Sequence, residues 1–416
     1  MTTKEQIIQQ LNNPKELEAL YRQNKAEFRK TFNLIYSEIE SYNSAQIWFE
    51  RLNYRQETIK PDSKNQFIFV IALALAAGFV AKVPDIFNLR ADLFFQRNIG
   101  FVVFPFLIAF FSQKNKNSLL KNLLMLASLL VFVVYINLLP KNESSDTLLL
   151  ACVHLQLILW LMLGFSFTGN EFKNHETRMN FLRYNGDLIV MSVIILLAGS
   201  LFSSITIGLF SIIDIDIIEI YANYVIIWGL PAVPLVATYL IQNNPQLVNK
   251  VSPIIAKVFT PLVLVTLCIY LPAMLFSEKD PYQNRDFLFI FNALLIGVLA
   301  LIFFSISEHT KSVVSKTNLI LLFSLTAITV VINSIALSAI IFRIAEWGIT
   351  PNRLAVMGGN LVILINLLLI GFGLFRTVTK NDGIDLVGKR ITGYLPLYGL
   401  WAGIVIFLLP ILFKFA

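Results

Sequence analysis

Charged residues, cysteine and histidine are all scarce in this chain. Charged side chains occupy 14% of its 416 positions, about half the share of an average soluble domain. Hydrophobic residues reach 56%, and the mean hydropathy is +0.70. Together these values exclude a soluble globular protein and a disordered one. The two cysteines, Cys152 and Cys268, lie inside apolar runs, which excludes a disulfide scaffold.

The three histidines, His154, His175 and His309, stand far apart and lack the spacing of metal ligands. We therefore predict no metal site, and we predict no cofactor. The net charge is +7, but the basic residues lie mainly in loops and in the N-terminal segment. Orientation in a bilayer explains that placement better than nucleic acid does. Membrane lipids are therefore expected partners, and nucleic acid is not.

Residues 1–66 are polar and show the pattern of an amphipathic helix. Asn13 and Pro14 form a good helix start, because an amide side chain can cap the first turn and proline fits its first position. Apolar residues follow at three- and four-residue spacing: Leu17, Leu20, Tyr21, Phe28, Phe32, Ile35 and Ile39. The segment either packs against the membrane domain or a cytoplasmic protein partner, or it lies on the lipid surface. Its many glutamates favour packing.

Eleven apolar runs follow, each near the length of about 20 residues that a helix needs to cross a membrane. They cover residues 67–83, 93–111, 119–139, 147–168, 187–210, 221–241, 254–276, 287–305, 317–342, 353–375 and 394–413. The loops between them are too short to hold a soluble catalytic domain. We therefore predict an all-α polytopic transmembrane helical bundle of about eleven spans over residues 67–416, preceded by a cytoplasmic N-terminal helical segment.

Positive charge predicts the orientation. The second run is uncertain, because its extension to residue 93 includes Gln96, Arg97 and Asn98. If all eleven runs cross and the N-terminus is cytoplasmic, the inner loops hold 14 Lys and Arg residues and the outer segments hold nine. Without the second crossing, the split becomes six inside and 17 outside. The positive-inside rule favours eleven crossings, with the C-terminus in the periplasm. Arg97 then snorkels to the outer edge.

The turn that joins the ninth and tenth runs is the most specific local feature. Gly348 can end one helix, and Thr350 can cap the next. Arg343 and Glu346 stand three residues apart and can pair on one helix face, while Arg353 lies across the turn. These three charged residues predict either an ion-paired helical hairpin or an outer binding site for an anionic group.

This turn resembles a bacterial family catalogued as "domain of unknown function 4153", whose members are described only as inner-membrane proteins. The family's pattern of glycine, hydrophobe, threonine, any two residues and arginine falls on Gly348, Ile349, Thr350 and Arg353. Gly358 and Gly359 follow, and Trp347 stands where the family more often has tyrosine. The resemblance covers roughly the first run to the tenth. It implies a bacterial inner-membrane location and no activity.

Two further features lie near the sixth run. Before it, Asp214, Asp216 and Glu219 place three acids within six residues and no base. They predict either cation binding or a solvated turn outside the membrane. Within the run, Pro231 and Pro234 remove backbone donors and kink the helix. Such a kink either exposes carbonyls to a substrate or serves packing alone.

Polar side chains inside the runs are few. His154 in the fourth run, Asn333 in the ninth and Asn360 in the tenth are the candidate functional residues there. Each can equally serve as an ordinary hydrogen bond between helices. No chain of Asp, Glu and His runs through the spans, which argues against a proton-coupled pump.

Three functions stay open from the sequence. The kinks and the cluster of Arg343, Glu346 and Arg353 favour a transporter or flippase of a small solute or envelope lipid. A membrane enzyme that uses a lipid-linked substrate is less favoured and would employ acids of the outer face: Asp85, Asp92, Asp214 and Asp216. An envelope scaffold or sensor would use residues 1–66 to recruit its partner.

Overall fold

The structure is a computed structural model. It describes residues 3–53, 63–140, 145–212, 215–275, 282, 285–309, 315–380 and 383–415. These residues are predominantly helical, and no strand occurs among them. They cluster into two compact units, Met1–Lys64 and Asn65–Ala416.

Residues 3–53 of the N-terminal unit form four short helices with their own apolar core. The helices are α1 (Thr3–Gln9), α2 (Pro14–Gln23), α3 (Lys25–Ile39) and α4 (Asn43–Asn53). Pro14 begins α2, and the Asn24 side chain caps α3 by accepting a hydrogen bond from the Glu27 N–H at 3.2 Å. The buried core consists of Ile7, Leu11, Leu17, Phe28, Phe32, Ile35, Ile39, Ala45, Trp48 and Leu52. This internal core accounts for the amphipathic pattern of the segment.

Eleven helices in the described part of the chain have the length and the apolar composition that a membrane crossing requires. They are Asn65–Ile86, Ala91–Lys114, Leu119–Leu138, Asp146–Glu171, His175–Gly208, Ile218–Asn243, Pro253–Pro272, Ile290–Glu308, Lys316–Trp347, Pro351–Lys380 and Asp385–Leu412, numbered here as spans one to eleven. Each overlaps the apolar run that predicts it. The all-α polytopic bundle is therefore confirmed, with the architecture of a multi-pass membrane protein.

Span two, uncertain from the sequence, is interrupted rather than short. Its first helix, Ala91–Asn98, leads into a 3-10 turn at Ile99–Val102, and a second helix runs from Phe104 to Lys114. Pro105 explains the restart, because a residue without an amide hydrogen fits the first turn of a helix. The combined segment has 24 residues and is long enough to cross.

Arg97 does not snorkel toward water, contrary to the prediction. It is 6% exposed and donates to backbone oxygens at the end of span three. Its Nη1 lies 3.1, 3.1 and 3.0 Å from the oxygens of Ile136, Asn137 and Leu139, and its Nη2 lies 3.0 Å from that of Pro140. The last carbonyls of a helix lack partners within the helix and bear partial negative charge, so a buried guanidinium satisfies them.

Span five determines where the candidate site lies. It has 34 residues, which at ~1.5 Å per residue makes it about 51 Å long, against ~30 Å of bilayer hydrocarbon. Part of it therefore extends beyond the hydrocarbon, and the charged residues of its first turns identify that part. The span packs against spans six, eight and eleven. Where it crosses span eight, a Cβ added to Gly186 would stand 2.0 Å from the Phe304 ring.

Candidate functional site

A polar cavity of about 310 Å³ lies where spans five and eleven begin. Its wall consists of His175, Glu176, Met179, Asn180, Arg183, Asp385 and Lys389. All of these residues except the methionine are polar or charged. The volume falls within the range of ~300–1,000 Å³ that is usual for small-molecule sites. The cavity can therefore take a small solute.

Helical spacing brings these side chains onto one face of each span. Glu176, Asn180 and Arg183 follow one another at intervals of four and three residues along span five, close to the helical turn of ~3.6 residues. Asp385 and Lys389 are four residues apart at the start of span eleven. Both helices therefore direct a charged stripe toward the shared cavity.

A buried ion pair lies behind the cavity wall. Arg183 Nε donates to Glu308 Oε1 at 2.9 Å, and the two side chains are 9% and 7% exposed. Arg183 Nη1 also donates to Asn180 Oδ1 at 3.0 Å, and its Nη2 donates to the backbone oxygen of Ser307. Buried charges need such partners, because removal of an ion from water is costly. The close crossing of spans five and eight brings the two charges together.

Thr392 links the two spans at the edge of the cavity. Its Oγ1 lies 2.9 Å from His175 Nδ1, and its backbone oxygen accepts from Arg178 Nη1 at 3.0 Å. Further along span five, Asp187 is 8% exposed. Because Glu176 and Asp187 lie about three helical turns apart, charged groups continue from the cavity edge into the bundle.

The cavity presents both signs of charge to a ligand. Glu176 and Asp385 supply carboxylates, and Lys389 supplies an ammonium group. Such a wall suits a molecule with one cationic and one anionic group, since each finds an opposite charge at a fixed position.

The turn between spans nine and ten uses its arginines to bind backbone oxygens. Arg353 Nη1 donates to the oxygens of Trp347 at 2.9 Å and Gly348 at 2.7 Å. Arg343 is buried, and its Nε donates to the backbone oxygen of Tyr282 at 2.8 Å. Both guanidiniums lie near the Trp347 ring, at 5.7 and 5.6 Å from its centre. The structure thus brings the two predicted arginines together around one indole.

The predicted helix ends of this turn are confirmed. Span nine ends at Trp347, and Gly348 has a φ of +77°, which glycine adopts without steric cost. The Thr350 hydroxyl accepts a hydrogen bond from the Arg353 N–H at 3.3 Å. Glu346 is exposed, and in the described part of the chain it forms no ion pair with either arginine. The arginines turn instead toward backbone oxygens.

The acidic segment before span six is only partly described. Asp214 lies outside the described residues. Asp216 is exposed, and its Oδ1 accepts a hydrogen bond from the Ile218 N–H at 2.9 Å, at the start of the next helix. Glu219 is exposed as well. Asp216 therefore supports local helix geometry.

The other acids of the enzyme hypothesis contact neighbouring cations. Lys82 pairs with Asp85, and Arg90 Nη2 lies 2.6 Å from Asp92 Oδ2. No contact among the described residues joins Asp85, Asp92 and Asp216 in one site. Within the same described ranges, no three histidine, cysteine or carboxylate side chains lie close enough together to hold a metal ion.

Two of the three intramembrane candidates lie together. Asn333 Nδ2 of span nine donates to the backbone oxygen of Asn360 in span ten at 3.1 Å, and both residues are buried. His154 in span four is half-buried, and its Nδ1 lies 2.9 Å from the backbone oxygen of Leu150 in the same helix. Asn333 thus links two spans, as polar residues between membrane helices commonly do.

The cavity residues are not among the candidates that the sequence suggested. A signal was present, since Glu176, Arg183 and Asp187 share one face of a helix that continues into an apolar span. The partner carboxylate of Glu308 is 125 residues away from Arg183. No spacing rule connects positions that far apart.

By fold and site, the chain is a multi-pass helical membrane protein with a charged cavity where two of its spans begin. Neither a family model, nor a curated protein, nor a solved structure matches the chain. The resemblance of the turn to a bacterial inner-membrane family therefore stays a prediction. The candidate site rests on geometry alone.

Proposed function

We propose that this protein is a membrane transporter that binds a small zwitterionic solute in the cavity of spans five and eleven. The observation that carries the proposal is the presence of both signs of charge around about 310 Å³ of space. The buried pair of Arg183 and Glu308 adds support. An ion pair is costly to place in an apolar bundle, so its position at a cavity favours a functional role over a purely stabilising one.

Two spans that pack against span five contain irregular helix segments, in span eleven 15 residues beyond its last cavity residue, Lys389. Span eleven contains a π-helical segment at Ile404–Leu408, and span six contains one at Ala222–Ile226 followed by Pro231 and Pro234. Such segments interrupt the regular backbone hydrogen bonds, and transporters use broken helices at their substrate sites. In span eleven the segment would let the far half of the span move relative to the first half, which carries Asp385 and Lys389.

The proposed location is a bacterial inner membrane, with the N-terminus and the cavity on the cytoplasmic side. The count of positive charges supports this orientation, and the family resemblance supports the location. Reporter tags inserted after residues 143 and 382 test it. The first tag should report the periplasm and the second the cytoplasm, and two tags on one side would contradict the orientation. A cytoplasmic partner of residues 1–66 remains part of this proposal.

Uptake into proteoliposomes tests the transport proposal. The reconstituted protein is incubated with an equimolar mixture of the proteinogenic amino acids as zwitterionic probes, and the vesicle contents are measured by mass spectrometry. We expect at least one zwitterion to accumulate above the level in empty vesicles. Lys389→Met and Asp385→Asn should each lower its uptake about tenfold, because each removes a charged partner of the solute.

Lys380→Met is the matched control for this experiment. Lys380 is exposed at the end of span ten and is not part of the cavity wall, so its variant should transport as the wild type does. The proposal fails if no zwitterion accumulates above empty vesicles. It fails equally if the two cavity variants accumulate as much solute as the control.

A further inference from the structure

A long apolar groove lies between spans three and four. Its volume is about 530 Å³, and residues such as Leu124, Ile158 and Met162 form its walls. It extends from Ser118, the residue that caps span three, to Ser128 within that span, a length of about 15 Å at ~1.5 Å per residue. One leaflet has the same thickness, since it is half of the ~30 Å of bilayer hydrocarbon. The groove therefore matches an acyl chain within a single leaflet.

Lysines gather at one end of this groove. Lys121 belongs to its wall, and Lys116 stands just before it in the turn that leads into span three. Lys114, the last residue of span two, donates instead to Gln242 of span six. No acid occurs in the sequence between Asp92 and Glu143. This end of the groove therefore bears positive charge with no carboxylate in the same stretch of chain.

Contacts with span four hold Lys121 at the end of the groove. Its Nζ donates to the backbone oxygens of Phe165, at 2.8 Å, and of Gly169, and lies 4.1 Å from the centre of the Phe165 ring. An ammonium group has three donors, so one is left for a phosphate oxygen. Glu171, the acid at the end of span four, accepts from the Thr177 hydroxyl at 2.8 Å, and within the described residues it forms no ion pair with Lys121.

We propose that this groove binds an anionic phospholipid, with one acyl chain along spans three and four and the phosphate at Lys121. The groove supplies apolar contact for the chain over one leaflet, and the lysines attract the headgroup. A phosphatidylcholine gains the same apolar contact, but its choline cation is repelled by the lysines. Each lysine beside an anionic lipid contributes about fivefold in affinity. The site is separate from the solute cavity, so it stands or falls independently of transport.

Native mass spectrometry of the full-length protein tests this site. Protein in detergent is incubated with equimolar phosphatidylglycerol and phosphatidylcholine that have the same acyl chains, and the retained lipid is counted. The wild type should retain phosphatidylglycerol at least about fivefold over phosphatidylcholine. Lys121→Met should lower this preference about fivefold. Lys316→Met, which changes an exposed lysine at the start of span nine, should preserve it.

A second variant tests the groove without the removal of any charge. Leu124 lies on the groove wall and is 60% exposed, so Leu124→Trp should fill the groove, leave the Lys121 contacts in place and lower the retention of both lipids. Equal retention of the two lipids by the wild type would overturn the proposal. So would Lys121→Met and Leu124→Trp variants that retain phosphatidylglycerol as well as Lys316→Met does.

Discussion

The solute cavity and the turn between spans nine and ten both concentrate charged residues, but they use them differently. In the turn, Arg353 donates to backbone oxygens five and six residues away. In the cavity, Arg183 pairs with a carboxylate 125 residues away, while Glu176 and Asp385 face the open space. A charge cluster within one short stretch thus serves the ends of its own helices. A cluster assembled from distant spans leaves charged groups available to a ligand.

The largest loss of stability should come from the removal of one partner of the buried ion pair between Arg183 and Glu308. In Glu308→Ala, Arg183 keeps its positive charge in the interior without the carboxylate that neutralises it. Such a change costs about 3–5 kcal/mol. The thermal midpoint of the purified protein, measured by scanning fluorimetry, should fall by several degrees, and uptake of the zwitterion should be lost.

The double variant Arg183→Met/Glu308→Met is the control for this loss. It removes both charges and keeps side chains of similar bulk, so it should recover most of the stability. Uptake should stay low, because Asn180 of the cavity wall has lost the guanidinium that holds it in place. An unchanged midpoint in Glu308→Ala would show that the pair is not buried as described.

The difference between the two regions also explains what the sequence can predict. The helix ends at Gly348 and Thr350 are predictable, because capping acts between residues a few positions apart. The eleven spans are predictable for the same reason, since each is a local run of apolar residues. Arg183 and Glu308 meet only after two spans cross at Gly186, and no local pattern specifies that crossing.

Arg97 is a second residue whose contacts depend on a neighbouring span and therefore could not be predicted from the local sequence. Its place near the end of an apolar run predicts a side chain that extends toward water. The prediction is wrong because the last carbonyls of span three lie beside it. Asn333 and Asn360 could be chosen as polar residues from the sequence, but their hydrogen bond depends on how spans nine and ten align.

A smaller loss of stability is expected from a change at the crossing of spans five and eight, which brings Arg183 and Glu308 together. Gly186→Ala places a methyl group 2.0 Å from the Phe304 ring, so the ring or the helices must shift. Overpacking of this kind costs about 1–3 kcal/mol, and the shift should separate Arg183 from Glu308. The thermal midpoint and the uptake of the zwitterion should both fall.

Gly199→Ala on the same span is the matched control. An added Cβ at Gly199 meets nothing within 4 Å, and alanine favours the helix by about 1 kcal/mol over glycine. Its thermal midpoint should therefore stay constant or rise. Equal midpoints for the two alanine variants would mean that span eight does not pack against Gly186.

The smallest loss of stability should come from a substitution in the turn between spans nine and ten. Arg353→Ala removes a donor from the oxygens of Trp347 and Gly348, and the loss of one such contact costs about 0.5–1.5 kcal/mol, since water replaces part of it. The thermal midpoint should fall slightly, and uptake at matched protein level should equal that of the wild type. Arg353→Lys keeps the charge but not the planar guanidinium, so it should fall between the two.

Uptake by Arg353→Ala decides between the two hypotheses for the turn. If uptake is lost while the thermal midpoint is unchanged, Arg353 binds a ligand, and the outer site of Arg343, Glu346 and Arg353 is supported. If uptake is retained while Lys389→Met has lost it, the turn is a helix-capping device and the cavity is the place of binding. The Arg353 hydrogen bonds to Trp347 and Gly348 favour the second result, because a guanidinium already held by two backbone oxygens has fewer donors for a ligand.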